Sequence, residues 1–159
     1  MNWMLNNIQK ENYKGRKMKV CGIEIKGNDA VVCFLQKEGE STVIIPSVKN
    51  KISVGKTGSA YDIRAFQDEF EQLMRTHGSI TAIIKERQTK GKFAGGAMSF
   101  KIESAIQLIR SIDVHTVSIH QIKKCNQAVS PTVKFQNTDL KQYQEQAYVV
   151  ANYGLFGDL

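Results

Sequence analysis

Long apolar runs are missing from this 159-residue chain. No stretch approaches the roughly 20 apolar residues that a membrane-crossing helix requires, which excludes a helical membrane span. The opening segment, MNWMLNNIQKENYKGRK, lacks the apolar centre of a secretory signal, so a cytoplasmic location is expected. Cysteine is scarce. Cys21, Cys33 and Cys125 are odd in number, widely separated and set in or near apolar segments. They read as reduced packing residues, not as a disulfide framework or metal ligands. The three histidines, His77, His115 and His120, share no ligand spacing with the cysteines, so no zinc site is expected. No Ser-His-Asp or Cys-His nucleophile arrangement is present. The GKTG at 55–58 lacks the preceding glycine spacing of a phosphate-binding loop, which removes the case for a nucleotide triphosphate site. Internal repeats and low-complexity tracts are absent as well.

What remains is the composition of a globular domain large enough for a real core, with 42% hydrophobic and 23% charged residues. The net charge is +7. Residues 1–17 hold Lys10, Lys14, Arg16 and Lys17 against Glu11, a net +3, which leaves +4 for residues 18–159. This mild basicity suits an anionic partner. Residues 1–17, polar and without strong periodicity, read as a flexible arm, and 18–159 as one domain.

From Lys19 the pattern is regular. KVCGIEIK and AVVCFLQ alternate or run apolar around a Gly27-Asn28-Asp29 turn, predicting a hairpin. STVIIP is a third strand closed by Pro46, and KNKISVGKTGS a polar loop. Ile63, Phe66, Phe70, Leu73 and Met74 recur at helical spacing within 60–76, with Gly78 as the stop. A strand over 80–85, a loop over 86–94 and a helix from about Gly96 to Ile112 follow. VHTVSI is a fifth strand, a short helix covers 119–125, and a polar loop carrying Pro131 leads into a last helix over 138–153. Its inward residues are expected to be Leu140, Tyr143, Ala147, Val150 and Ala151. Three meandering strands followed by helix-linked strands predict a mixed five-stranded sheet with helices on both faces.

Two acids stand out on this frame. Glu24 shares a strand face with Val20 and Gly22, where a carboxylate is disfavoured unless it is exposed, paired or used. Glu86 directly follows an apolar strand, at the strand end where α/β proteins place ligand-binding groups. Lys85, Arg87, Lys90, Lys92 and Lys101 surround it in sequence, a pattern that suits phosphates. The alternative use of such a charge run is a solvated loop. Gly95-Gly96 opens the following helix, either to approach an anion or to pack closely. Phe93 and Phe100 could stack on bases or fill the core. His120 reads as a surface residue at a helix start. Glu145, on an amphipathic helix, reads from the residues alone as surface decoration.

MKVCGIEIKGNDAVVC, IIKERQTKGKFAGGAMSFKIESAIQLI and YQEQAYVVA resemble an uncharacterised bacterial family of single-domain proteins of unknown function, over about Met18 to Tyr153. More distantly, the layout resembles RuvC-type Holliday-junction resolvases of the ribonuclease H-like superfamily. Those enzymes carry an acid in the first strand, a second at the end of the fourth, and one or two on the last helix. The resemblance implies Glu24 from GIE, Glu86 from IIKE and Glu145 from QEQA as catalytic carboxylates holding magnesium or manganese. It departs at Glu24, where the resolvases have Asp, and on the last helix, where Gln142 and Tyr143 stand near Glu145.

The reading that follows is a metal-dependent, RuvC-like endonuclease hydrolysing phosphodiester bonds in nucleic acid, DNA in preference to RNA. Glu24, Glu86 and Glu145 would hold the metal, and Lys85, Arg87, Lys90, Lys92 and Lys101 the phosphates. A homodimer is expected on this reading, since cutting two strands needs two sites. The alternative is a non-catalytic nucleic-acid-binding or regulatory domain on the same fold. A phosphotransferase fragment is disfavoured, because one short domain leaves no second lobe to enclose ATP.

Overall fold

The computed structural model describes residues 18–92, 95–128 and 133–159, the last three residues of the middle stretch by backbone alone. The arm expected over 1–17, the stacking position Phe93 and the loop residue Pro131 lie outside the described residues.

Eight apolar-rich residues, Lys19–Lys26 (β1), pair antiparallel with Asp29–Glu38 (β2). Lys26 faces Asp29, so Gly27 and Asn28 alone make the turn, and Gly27 takes a positive φ of 56° that a side chain would resist. Ser41–Ile45 (β3) continues the meander along β2. The stretch expected as loop contains a short extra strand, Lys51–Ser53 (β4), also paired with β2. Only Ile52 of its three residues is buried, which is why the polar segment reads as a loop.

Ala60–Thr76 (α1) is capped by Ser59, whose hydroxyl accepts from the Asp62 N–H, and the chain leaves the helix at Gly78, with φ 63°. Thr81–Lys85 (β5) then pairs parallel with β1. Ala97–Gln107 (α2) leads to Asp113–Val117 (β6), which pairs parallel with β5. Ile119–Ala128 (α3) and Glu145–Phe156 (α4) complete the chain, with 3-10 turns at Phe135–Asn137 and Gln142–Gln144. The last helix therefore starts and ends later than its sequence pattern indicated. Tyr143, expected inward, lies in the 3-10 turn, 40% exposed and under the Lys51 ammonium.

The sheet order is β3-β2-β1-β5-β6, with β4 beside β2. Alternation sends Cys21, Ile23 and Ile25 to one face, where they meet Phe66, Phe70 and Met74 of α1 and Ile102 and Ile106 of α2. Val20, Val31, Cys33 and Leu35 face the other way, onto Ala147, Tyr148, Ala151 and Leu155 of α4. Ile83 and Val117 meet Ile122 of α3 and Val150 of α4 on that same side. The result is three layers with both sheet faces covered, as the strand order predicted. No helix among the described residues is long and apolar enough to cross a membrane.

Gly22 sets how closely α4 approaches. A Cβ there would lie 2.5 Å from the Ala151 nitrogen, 2.7 Å from its Cβ, and closer still to the Ala147 carbonyl oxygen. Farther along, Gly154 lies against Ile83 and Val20. The helix thus runs antiparallel to β1, with its N-terminus over the carboxyl end of that strand.

Candidate active site

The three parallel strands β1, β5 and β6 end at one edge of the sheet, and a cavity of ≈ 620 Å³ opens there. It is lined from β1 by Glu24 and Ile25, from the β5 end by Lys85 to Lys90, and from the start of α3 by Ser118, Ile119 and His120. This is the crevice outside the carboxyl ends of the strands, where open α/β sheets bind ligands.

Glu24 lies one residue past the last β1–β5 pair, Ile23 with Ile84, on the face covered by α4. Its side chain is 12% exposed. One carboxylate oxygen sits 3.8 Å from the Lys26 ammonium, a loose ion pair, while Oε2 is buried with no hydrogen-bond partner. A buried carboxylate oxygen left unpaired is costly, so a site that keeps one invites a cationic or donor ligand.

Glu86 is exposed, and its backbone N–H donates to the Val117 carbonyl at 2.8 Å, tying the β5 end to β6. The loop beyond is closed by a bond from the Gly95 N–H to the Gln88 carbonyl at 2.8 Å. Lys85 donates from its ammonium to Gln146 Oε1 at 2.9 Å, so the first turn of α4 grips the strand end through an amide.

Arg87 is held on two sides. Its Nη2 donates to Glu103 Oε2 at 3.0 Å, and its guanidinium lies 4.9 Å from the Phe100 ring centroid. The two charged side chains are 11% and 15% exposed. Gly95 makes room for the arginine, since a Cβ there would fall 3.2 Å from Arg87 Cδ and Nε and 2.9 Å from Ser99 Oγ. Of the two readings of Gly95-Gly96, close packing thus describes Gly95, while Gly96 has open space around it. Arg87 Nε and Nη1 remain buried without a hydrogen-bond partner. Phe100 is half-buried beneath the guanidinium, a use between base stacking and core packing.

The α3 end of the cavity is a capping box. Ser118 Oγ accepts from the Gln121 N–H at 3.2 Å and Gln121 Oε1 accepts from the Ser118 N–H at 2.8 Å. The helix N-terminus adds positive potential to a rim that already holds Lys85, Arg87 and Lys90 against two carboxylates. His120 is exposed, as its surface reading requires, and also lines the cavity.

The structure therefore brings Glu24, Glu86, Lys85, Arg87 and Lys90 to one cavity. Lys92 is exposed farther along the loop. Lys101 is turned to a separate groove between α1 and α2, where its ammonium donates to the Gly58 carbonyl at 3.3 Å. Glu145 accepts from Gln142 Nε2 at 3.1 Å and is not among the residues lining the cavity. Glu103, Gln146, Ser118 and Gln88 were not singled out from the sequence. Only the S-x-x-Q spacing of Ser118 and Gln121 carried a readable signal.

Among the described residues no group of three or more His, Cys, Asp or Glu side chains could share a metal ion. The donor set at the cavity is two carboxylates, one with an unpartnered oxygen. Magnesium is commonly bound through one or two carboxylates, with waters and substrate phosphate completing its shell. The residues fit an ion of that kind and do not form an all-protein cage.

A family model described as "Protein of unknown function (DUF3010)" matches residues 18–153. None of the curated proteins matches the sequence. Among solved structures, RuvC from Thermus thermophilus superposes with a TM-score of 0.68 at 9% identity, covering 87% of this chain and 94% of that one. The T. thermophilus RuvC complex with a Holliday junction substrate gives 0.64 at 11% identity, covering 87% and 93%. The yeast mitochondrial Holliday junction resolvase Ydc2 gives 0.58 at 10% identity, covering 88% and 76%. At such identities the likeness establishes the fold, which is ribonuclease H-like.

Proposed function

The chain belongs to the DUF3010 family, and we propose that residues 18–159 act as one domain, a RuvC-like endonuclease that hydrolyses phosphodiester bonds in nucleic acid with the aid of a divalent ion. The observation carrying this reading is the unpartnered Oε2 of Glu24, buried at a cavity that also holds Glu86 and three cations. The two carboxylates would hold magnesium or manganese; when bound, that ion activates a water and neutralises charge on the phosphodiester. Arg87, fixed by Glu103 and Phe100, supplies a held positive charge at the cavity wall that favours a phosphate nearby. Lys85 and Lys90 add positive charge that draws the backbone in. The similar solved structures include one bound to a Holliday junction, which favours DNA over RNA; a cytoplasmic location and a homodimer with two sites are part of the same proposal. Lys92, Lys101 and Glu145 belong to this reading as more distant contributors, Lys92 and Lys101 to backbone binding and Glu145 as a third carboxylate brought in with substrate.

A second reading, a nucleic-acid-binding or regulatory domain without catalysis, is favoured by one observation. The last helix presents the amide of Gln146 to Lys85, and no acid of that helix lines the cavity. Cleavage of branched, duplex and single-stranded DNA and RNA with magnesium or manganese separates the two. Glu24→Gln and Glu86→Gln should each lower cleavage at least about 100-fold while binding persists, since each removes a metal-holding charge. Cleavage unaffected by both substitutions would refute the endonuclease site. Binding without cleavage on every substrate would establish the second reading.

A further inference from the structure

A second groove of ≈ 620 Å³ runs between α1 and α2, and one side-chain contact links its lining to that of the cavity at the strand ends. Arg87 lines the first cavity and Phe100 lines the second, and the two are stacked at 4.9 Å. The stacked pair is thus the link between the two. The groove floor is apolar, formed by Ile63, Ala105 and the Phe100 ring, with Leu108 72% exposed at its edge. Arg64 and Lys101 supply its charge, and among the described residues no acid lines it. Its shape is held by the protein itself, because Gln67 Nε2 donates to the Ala105 carbonyl at 2.7 Å and so ties α1 to α2.

We infer that this groove receives an unpaired stretch of the nucleic acid that enters the strand-end cavity. The inference rests on the nucleic-acid reading above and adds a path to it. An apolar floor with an aromatic ring accepts base and sugar faces, which are available only when a strand is unpaired. Two cations with no competing acid among the described residues accept backbone phosphates. A volume near 600 Å³ is that of a site for a nucleotide-sized group. The strand crosses from one cavity to the other over the Arg87–Phe100 pair.

The test is binding of fluorescein-labelled oligothymidylates of 4 and 12 nucleotides to the full chain, by anisotropy, over a salt series. The variants are Arg64→Gln combined with Lys101→Gln, and separately Leu108→Asp. Wild type should bind the 12-mer more tightly than the 4-mer. The double substitution should weaken the 12-mer about tenfold, more than it weakens the 4-mer, and reduce the 12-mer's salt slope by about 1.4, the value for two single-strand phosphate contacts. Leu108→Asp should likewise weaken the 12-mer more than the 4-mer. An unchanged 12-mer affinity and slope in both variants, with the 4-mer still bound, would overturn the path but not the strand-end site. Failure of wild type to bind either oligonucleotide would overturn both. A change of oligomeric state in the variants with binding intact would assign the groove to a second copy of this chain and overturn the path.

Discussion

Replacing Gly22 by alanine is the sharpest single test of how the last helix is seated over the site. The added Cβ would stand 2.5 Å from the Ala151 nitrogen and 2.7 Å from its Cβ, besides its approach to the Ala147 carbonyl. Two of these are backbone atoms, so no rotamer change relieves the clash, and α4 must withdraw by about 0.5–1 Å, which forfeits a quarter to a half of each contact it makes. Eight buried residues form that contact, from Val20 to Leu155. Overpacking ordinarily costs about 1–3 kcal/mol, and a rigid backbone neighbour places this case near about 3. With a urea m-value of about 2 kcal/mol per molar, the unfolding midpoint should fall by about 1.5 M. Gly27→Ala is the control. Its Cβ meets nothing within 4 Å, so only the positive φ is penalised, about 1 kcal/mol or a 0.5 M shift. Urea titrations followed by circular dichroism measure both. Equal midpoint shifts in the two variants would refute the close-approach reasoning.

Glu103→Ala removes the partner that pins Arg87 and leaves a nearly buried guanidinium unpaired, a loss of about 3 kcal/mol read by the same titration. A loss below about 1 kcal/mol would mean the pair is solvated. His77 should make stability pH-dependent. Burial and the neighbouring Lys19 charge hold its pKa below the ordinary value, and its Nε2 accepts from the Val48 N–H at 3.3 Å. The unfolded chain therefore binds the proton more readily, and stability present above about pH 6.5 is lost as pH falls through that value. The melting temperature should drop between pH 7.5 and 5.5, and His77→Gln should flatten that segment; an identical slope in the variant contradicts the assignment. Burial pushes the Cys33 thiol up to about 12 and raises Cys21 and Cys125 as well. A thiol reagent at pH 8 should label the half-buried Cys125 first and the two strand cysteines only at the unfolding rate. Three equally fast thiols would rule this out.

The strands and helices that bury whole faces were legible because their periodicity is strong, as in Phe66, Phe70, Leu73 and Met74 of α1. β4 was not, since one buried Ile52 between Lys51 and Ser53 gives no period to detect. The error at the last helix has a definite cause. Its phase, extrapolated backward from Ala147 and Val150, ignores the 3-10 turn at Gln142–Gln144, which rotates Tyr143 outward. The positions of Glu24 and Glu86 at one sheet edge follow from strand order, which the sequence pattern carried. The Arg87–Glu103 pair does not, because it depends on how α2 swings back across the loop after β5.

The parallel pairing of β1 with β5 also bears on when the site comes into being during folding. The β1–β2 hairpin closes through a two-residue turn, a local event of microseconds. Val20 and Thr81, by contrast, are joined only after some sixty intervening residues have been organised, and such distant pairings are slow to form. Glu24 sits on one of these strands and Glu86 just beyond the other. The two carboxylates are therefore strangers in the early collapsed chain, and no nascent fragment ending before β5 can carry the charge arrangement of the finished cavity.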